Sequence, residues 1–402
     1  MNGLPSENIY NFISEQNIKT YTNLDMLDII NQYLEKKKGE QSFILVDLGE
    51  VIRQFYKWTK HLPRVTPYYA IKCNPCPIII DLLNKLGCCF DCASQQEILK
   101  TINLGINPKN IIFANPCKPV DFIKFSRSND VDLLVIDSSY ELYKIKLYHS
   151  EANLLVRIQT DDSKSVCKFN CKFGIEIDEV KEILELGKVL NLNIVGVSFH
   201  VGSGCKDANV YRTALKDCKK VFEIAAEVGV QMNLIDIGGG FPGIDDAEVN
   251  FETMAQVINT SIDELFDGED IRFIAEPGRY FVTSSHTLVC SIINKKERVN
   301  KDTGEKLITY YVSDGVYKSF SNIIFDYAKP EFIPFNERTE KTYQSIIYGE
   351  SCDSLDIISR SCELPSLAIG ESIVIKNMGA YTIASSTEFN GFTKAELFYI
   401  LT

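Results

Sequence analysis

Residues able to do chemistry recur at one kind of place in this chain, immediately after short apolar runs. Lys72 follows Tyr68-Tyr69-Ala70-Ile71, Asp91 follows Cys88-Cys89-Phe90, Asn115 follows Ile111-Ile112-Phe113-Ala114, and Asp137 follows Leu133-Leu134-Val135-Ile136. Arg157 closes Leu154-Leu155-Val156, and His200 ends Ile194-Val195-Gly196-Val197-Ser198-Phe199. Gly238-Gly239-Gly240 follows Leu234-Ile235-Asp236-Ile237, and Glu276 follows Phe273-Ile274-Ala275. Wet loops account for polar strand ends such as Asn115 and Asp137. They account less well for Lys72 and His200, which lie inside apolar stretches where an idle polar group would be costly.

Gly238-x-Gly240-x-x-Gly243 fits a dinucleotide fingerprint formally, but Pro242 interrupts it and no helix opens directly after it. Two readings stay open: backbone N–H groups cradling a single phosphate, or a tight turn needing positive φ. An early lysine, a phosphate cradle, a histidine, and Glu276 with Arg279 close behind suit a phosphorylated aldehyde cofactor. Pyridoxal phosphate needs a lysine for its Schiff base and an anion beside its pyridine nitrogen.

These residues need elements to place them. The eight apolar runs read as strands buried on both faces, as in parallel sheets. Helical patterns separate them at Gln95–Leu104, Ser139–His149, Glu176–Leu190, Val210–Val228 and Phe251–Phe266. Roughly 215 residues of strand–helix alternation suffice for a TIM-type (β/α)8 barrel, which usually takes ~250; an open doubly wound sheet is the alternative. Barrel enzymes build their sites at the carboxyl ends of the strands, where the polar residues fall here. Beyond residue 282 alternating runs (Thr287–Ile292, Thr309–Val312, Ser345–Tyr348, Ser372–Ile375) predict a C-terminal all-β domain. The expected division is residues 1–42 packing with the β domain, 43–281 forming the barrel, and 282–402 forming the β domain.

Composition narrows the function classes. The chain has 402 residues, more than one core usually organises. Its 42 Lys+Arg against 54 Asp+Glu give a net charge of −12, which disfavours nucleic-acid binding and leans towards cationic small molecules. Neither a secretory signal nor a ~20-residue apolar span is evident, so a soluble, cytoplasmic protein with no membrane partner is expected. Thirteen cysteines then read as thiols rather than disulfides. Cys73-x-x-Cys76 with Cys89-x-x-Cys92 mimics a zinc ribbon, but Ile78–Leu83 between the pairs has the pattern of a buried helix. No metal is expected.

Tyr69-Ala70-Ile71-Lys72-Cys73-Asn74, Phe90-Asp91-Cys92-Ala93-Ser94, Ser198-Phe199-His200-Val201-Gly202-Ser203-Gly204, Asp236–Gly243 and Ala275-Glu276-Pro277-Gly278-Arg279-Tyr280 together resemble the eukaryotic ornithine decarboxylases. Those are pyridoxal-phosphate enzymes of the alanine-racemase barrel type. Asp314-Gly315-Val316-Tyr317, Cys352-Asp353-x-x-Asp356 and Asn377–Thr382 extend the resemblance over nearly the whole chain.

The resemblance implies decarboxylation of L-ornithine to putrescine, with pyridoxal 5'-phosphate as cofactor. Lys72 would hold the cofactor's aldehyde, His200 would stack on its ring, and Glu276 would pair with its pyridinium. Ser203, Gly240, Gly278 with Arg279, and Tyr381 would hold the phosphate; Asp91, Arg157, Gly238, Gly239 and Pro277 would complete the cofactor site. Asp326 and Asp353 would bind the distal ammonium, with the Phe325 backbone beside it. Cys352 would be the proton donor, a task within reach of a thiol with an ordinary pKa of about 8.5. Cys352 and Asp353 would come from the other subunit of a homodimer, and Lys172 with Asp356 would form a salt bridge across it. On residue type alone, Asp326 reads as a turn residue and Cys352 as a core thiol.

Departures from the family pattern carry expectations too. Tyr348-Gly349-Glu350-Ser351 stands where the family often has Trp-Gly-Pro-Thr, so Glu350 is expected to add charge and flexibility beside the proton donor. Asp121, Asp130 and Asp132 make the region corresponding to the antizyme dock acidic, and little chain follows Phe389, so no antizyme control is expected. The rival readings are a catalytically dead binding protein like the antizyme inhibitors, and an enzyme acting on another basic amino acid.

Overall fold

The computed structural model describes every residue except 1–6, 23, 37–38, 246–248, 300 and 303. Two compact units emerge: Ile52–Phe281 with a short N-terminal piece ending at Ile9, and Tyr10–Val51 with Val282–Thr402.

In the first unit, eight strands close into a barrel: Val65–Ala70, Cys89–Cys92, Ile111–Phe113, Leu133–Ile136, Asn153–Arg157, Asn193–Ser198, Leu234–Asp236 and Arg272–Ala275. Each pairs in parallel with the next, and the last returns to the first with Ala275 opposite Pro67. Closure rules out the open doubly wound sheet. Tyr68, Cys89, Ile112, Val135, Leu155, Leu234 and Ile274 form one buried cluster, with Val195 packed against it, so all eight strands feed it. Side chains two apart on a strand share a face. Cys89, Leu155, Leu234 and Ile274 are therefore followed on that face by Asp91, Arg157, Asp236 and Glu276. Alternation alone thus stacks a charged layer on the apolar one, at the carboxyl end.

Local chemistry fixes the helices between the strands. Ser94, Ser138 and Asn250 accept the N–H of Glu97, Glu141 and Thr253, capping the helices Gln95–Asn103, Ser139–Tyr148 and Phe251–Phe266. The segment between the paired cysteines is the helix Pro77–Leu86, with Ile79, Ile80, Leu82 and Leu83 buried. Among the described residues no group of three or more His, Cys, Asp or Glu could hold a metal ion.

The second unit is built on a nine-stranded sheet among the described residues. Its longest strand, His286–Val299, pairs with Phe43–Asp47, Lys306–Val312 and Ser372–Ile375. Phe43–Asp47, expected at the head of the barrel, therefore belongs to this sheet. A run buried at all five positions has no alternation to say which sheet it joins. The strands Ile357–Pro365 and Glu396–Leu401 were not foreseen. Helix Met26–Lys36 packs Ile29 and Ile30 against Phe43, Leu45, Val289, Val374 and Ile400. No described helix is long and apolar enough to cross a membrane.

Candidate active site

The carboxyl end of the barrel gathers the polar residues read from the sequence. Lys72 sits in the single 3-10 turn Ile71–Cys73, and its Nζ lies 2.6 Å from Asp91 Oδ2. The Asp91 side chain is fully buried and its Oδ1 has no hydrogen-bond partner among the described residues. Arg157, half-buried with its guanidinium over the Phe173 ring at 5.2 Å, feels the charges of Glu276, Asp137, Asp236 and Asp91.

His200 is buried between like charges. Its Nδ1 accepts the Gly202 N–H at 3.0 Å, which leaves Nε2 to carry the proton of a neutral ring. Burial first, then Arg157 and Lys72, hold its pKa well below the usual histidine value. A neutral imidazole presents a flat, weakly polar face, which suits a stacking role.

Glu276 has the opposite problem. Burial, then Asp236 and Asp91, push its carboxyl well above the usual range. Asp236 is pushed up to about 7, mainly by burial, although its Oδ1 accepts the Gly238 N–H at 2.9 Å. Asp236 Oδ2 is buried with no hydrogen-bond partner in reach among the described residues. Three buried carboxyl groups, two with an orphaned oxygen, form a site short of positive charge. A protonated ring nitrogen meets that need, so these residues fit pyridoxal phosphate. Asp236 was overlooked as a functional residue; its shared parity with Leu234 was the available signal.

The anion end is equally concrete. Arg279 donates to Ser203 Oγ from Nη2 at 2.7 Å and from Nε at 3.3 Å, placing a guanidinium and a hydroxyl side by side. The glycine run is explained by the protein itself. Gly238 has φ 63°, and a Cβ there would lie 2.2 Å from the Phe199 carbonyl; one on Gly239 would lie 2.9 Å from His200 Nε2. Gly240 has φ 111° and would strike Val201 Cγ2 at 2.7 Å. Positive φ accounts for Gly238 and Gly240, and close approach to the His200 ring accounts for Gly239. Pro277 accepts the Ala70 N–H at 3.1 Å, and Gly278 admits Cys73 at close range.

The other residues expected from the sequence to act on substrate or cofactor lie in the second unit. Cys352 is exposed, and Asn390 Oδ1 accepts both its N–H and its thiol at 3.2 Å. Asp353 accepts the Leu355 N–H at 3.0 Å and the Tyr317 hydroxyl, contacts that hold its carboxyl below the usual range. Tyr317 stacks on Phe389 at 4.2 Å between ring centroids. Asp326 is buried at the end of the short helix Asn322–Phe325, while Phe325 itself is exposed. Tyr381 holds a left-handed backbone, φ 56°, which a bulky residue adopts only at a cost.

Two further placements bear on the expected dimer contact. Lys172 is exposed and lies over the Phe173 ring at 4.9 Å. Asp356 is buried, accepting the N–H of Val316 at 2.9 Å and of Ser351 at 3.0 Å. It is thus an anchor within its own chain. Sequence reading placed Tyr317 in a motif without giving it a role and missed Asn390 and Lys318, which lie far along the chain from the motif they support.

Comparison with known proteins agrees with this geometry. Residues 48–283 match the pyridoxal-binding domain of pyridoxal-dependent decarboxylases. The chain is 43% identical to rat ornithine decarboxylase over 95% of its length and 85% of that protein's. It is 40% identical to antizyme inhibitor 2 of Xenopus laevis, over 100% of the chain and 89% of that protein. The crystal structure of the Paramecium bursaria Chlorella virus arginine decarboxylase superposes with a TM-score of 0.88 at 34% identity, over 93% of this chain and 100% of that one. With a lysine, an anion site and a carboxyl cluster set around one barrel mouth, this chain belongs to the pyridoxal-phosphate-dependent ornithine, arginine and lysine decarboxylase family, close to the eukaryotic ornithine decarboxylases.

Proposed function

We propose that the chain decarboxylates L-ornithine to putrescine and carbon dioxide, in a homodimer whose sites are completed in trans. The observation that carries this reading is the ionised Asp353 carboxylate, fixed by Tyr317 and Leu355 next to the Cys352 thiol. A fixed carboxylate beside a proton donor suits a substrate with a terminal ammonium, and Asp326 supplies a second negative charge.

Pyridoxal phosphate, when bound, supplies a protonated ring that takes up the electron pair released as carbon dioxide leaves. Lys72 Nζ would hold the cofactor's aldehyde carbon, and Asp91 sets the direction of that amine. Glu276, with Asp236 and Asp91 behind it, keeps the ring nitrogen protonated. His200 would cover one face of the ring, and Arg157 balances the buried carboxylates. Ser203, Gly240, Gly278, Arg279 and Tyr381 bind the phosphate. Cys352 of one subunit hands its proton to Cα of a substrate in the other, while Asp353 and Asp326 hold the distal ammonium near the Phe325 backbone. Lys172, exposed, is offered to the partner subunit at the dimer interface, whereas Asp356, buried and held by the Val316 and Ser351 N–H groups of its own chain, serves as an anchor there and not as its ion-pair partner. The chain works in the cytoplasm and without antizyme control, a reading supported by the acidic side chains Asp121, Asp130 and Asp132; an inhibited complex formed with purified antizyme would overturn it.

The deciding measurement is carbon dioxide release from ornithine, lysine and arginine side by side. Ornithine should be turned over fastest, and faster release from arginine or lysine would overturn the assignment. Release from none would favour the binding-protein reading that the likeness to antizyme inhibitor 2 raises.

A further inference from the structure

The segments 313–319 and 349–356 of the second unit are joined by three sets of contacts. Tyr317 donates to Asp353. Asp356 accepts the N–H of Val316 across the two segments and, within its own segment, that of Ser351, while its carbonyl takes that of Gly349 at 2.9 Å. Lys318 Nζ lies 2.5 Å from Glu350 Oε1, with side chains only 7% and 13% exposed. The first segment is itself fixed, because Asp314 accepts from Gly315, Ser319 and Ser42.

The third set involves no residue assigned to the site. Glu350 was expected to loosen the chain beside Cys352, yet it is paired and largely buried. Burial raises its pKa and Lys318 opposes the rise. Parting these charges would strand each in a low-dielectric surrounding, so the pair resists displacement of residues 349–353 from the 313–319 segment.

We infer that Lys318 and Glu350 form a clasp that positions the Cys352–Asp353 segment, setting where the proton is delivered and where the carboxylate meets the substrate. Both are positioning residues, and the inference rests on the reading of Cys352 as proton donor. Loosening the clasp leaves carbon dioxide release largely intact but misplaces the donor. More turnovers would then end with the proton on the cofactor's C4′, after which water would release an aldehyde and leave pyridoxamine phosphate in place of amine, so the assay supplies free pyridoxal phosphate to keep the enzyme loaded.

The test uses the holoenzyme as Glu350→Gln, Lys318→Met, the exchanged pair Lys318→Glu/Glu350→Lys, and Cys352→Ala as reference. Product partition and amide hydrogen exchange across 349–356 are read for each, with melting temperature confirming folding. Each single variant should raise the aldehyde share by about tenfold, short of the roughly hundredfold cost of a 1 Å misplacement of a catalytic group, and speed exchange at 349–356. The exchanged pair should recover most of both. Folded single variants with wild-type partition overturn the clasp, as does an exchanged pair no better than the singles. If a single variant does not fold, Lys318→Ala/Glu350→Ala strands no charge and should show the same disturbed partition; wild-type partition there overturns the clasp. If Cys352→Ala leaves partition unchanged, the donor assignment fails instead. Exchange then decides alone, faster exchange in Glu350→Gln upholding the clasp and unchanged exchange overturning it.

Discussion

Lys72 Nζ lies 2.6 Å from Asp91 Oδ2, with the carboxylate fully buried and the amine partly open to solvent. The barrel thus holds a partly open reactive amine against a buried carboxylate. Nineteen positions separate the two residues, but neighbouring strands bring them together, with Ala70 opposite Asp91 in the register.

Replacing Lys72 removes the group that holds the cofactor's aldehyde. Lys72→Ala protein should lose the visible absorbance of lysine-bound cofactor, with carbon dioxide release falling at least about a thousandfold. Absorbance titration with pyridoxal phosphate, paired with the release assay, checks both.

Cys352→Ala should keep releasing carbon dioxide while the ratio of amine to aldehyde falls roughly a hundredfold or more, the scale of losing a general acid. Chromatography of the products measures it. An unchanged putrescine yield would reject the proton-donor role.

Shared sites predict trans complementation. Mixing inactive Lys72→Ala and Asp353→Ala proteins should restore about a quarter of wild-type activity at equal amounts, since half the dimers are mixed and each has one intact site. No recovery in demonstrably mixed dimers would count against sites completed in trans.

The buried carboxyl groups predict a pH dependence in the cofactor-free protein. Asp236 has a folded pKa of about 7, raised above its unfolded value by burial. Its contribution is therefore fully present below the unfolded pKa near 4 and is lost as pH rises through 7. Melting temperature should fall between pH 5 and pH 8, and Asp236→Asn should flatten that fall. An equally steep fall in the variant would refute the assignment to Asp236.

Much of the fold was legible in sequence because its signals are local. The eight apolar runs, the capped helices and the polar residue after each run depend on periods of 2 and 3.6 residues, which survive without knowledge of packing. Lys72, His200 and Glu276 stood out for the same reason, as polar residues at the ends of buried runs. Tertiary structure decided what depends on neighbours distant along the chain. It joined Phe43–Asp47 to the second sheet, made the three glycines answer to the protein's own backbone, and set Asp236 among the carboxyl groups around Glu276. It also gave Glu350 a buried cation 32 positions away. A charge's effect is set by the burial and partners it finds in space, and spacing along the chain does not encode those.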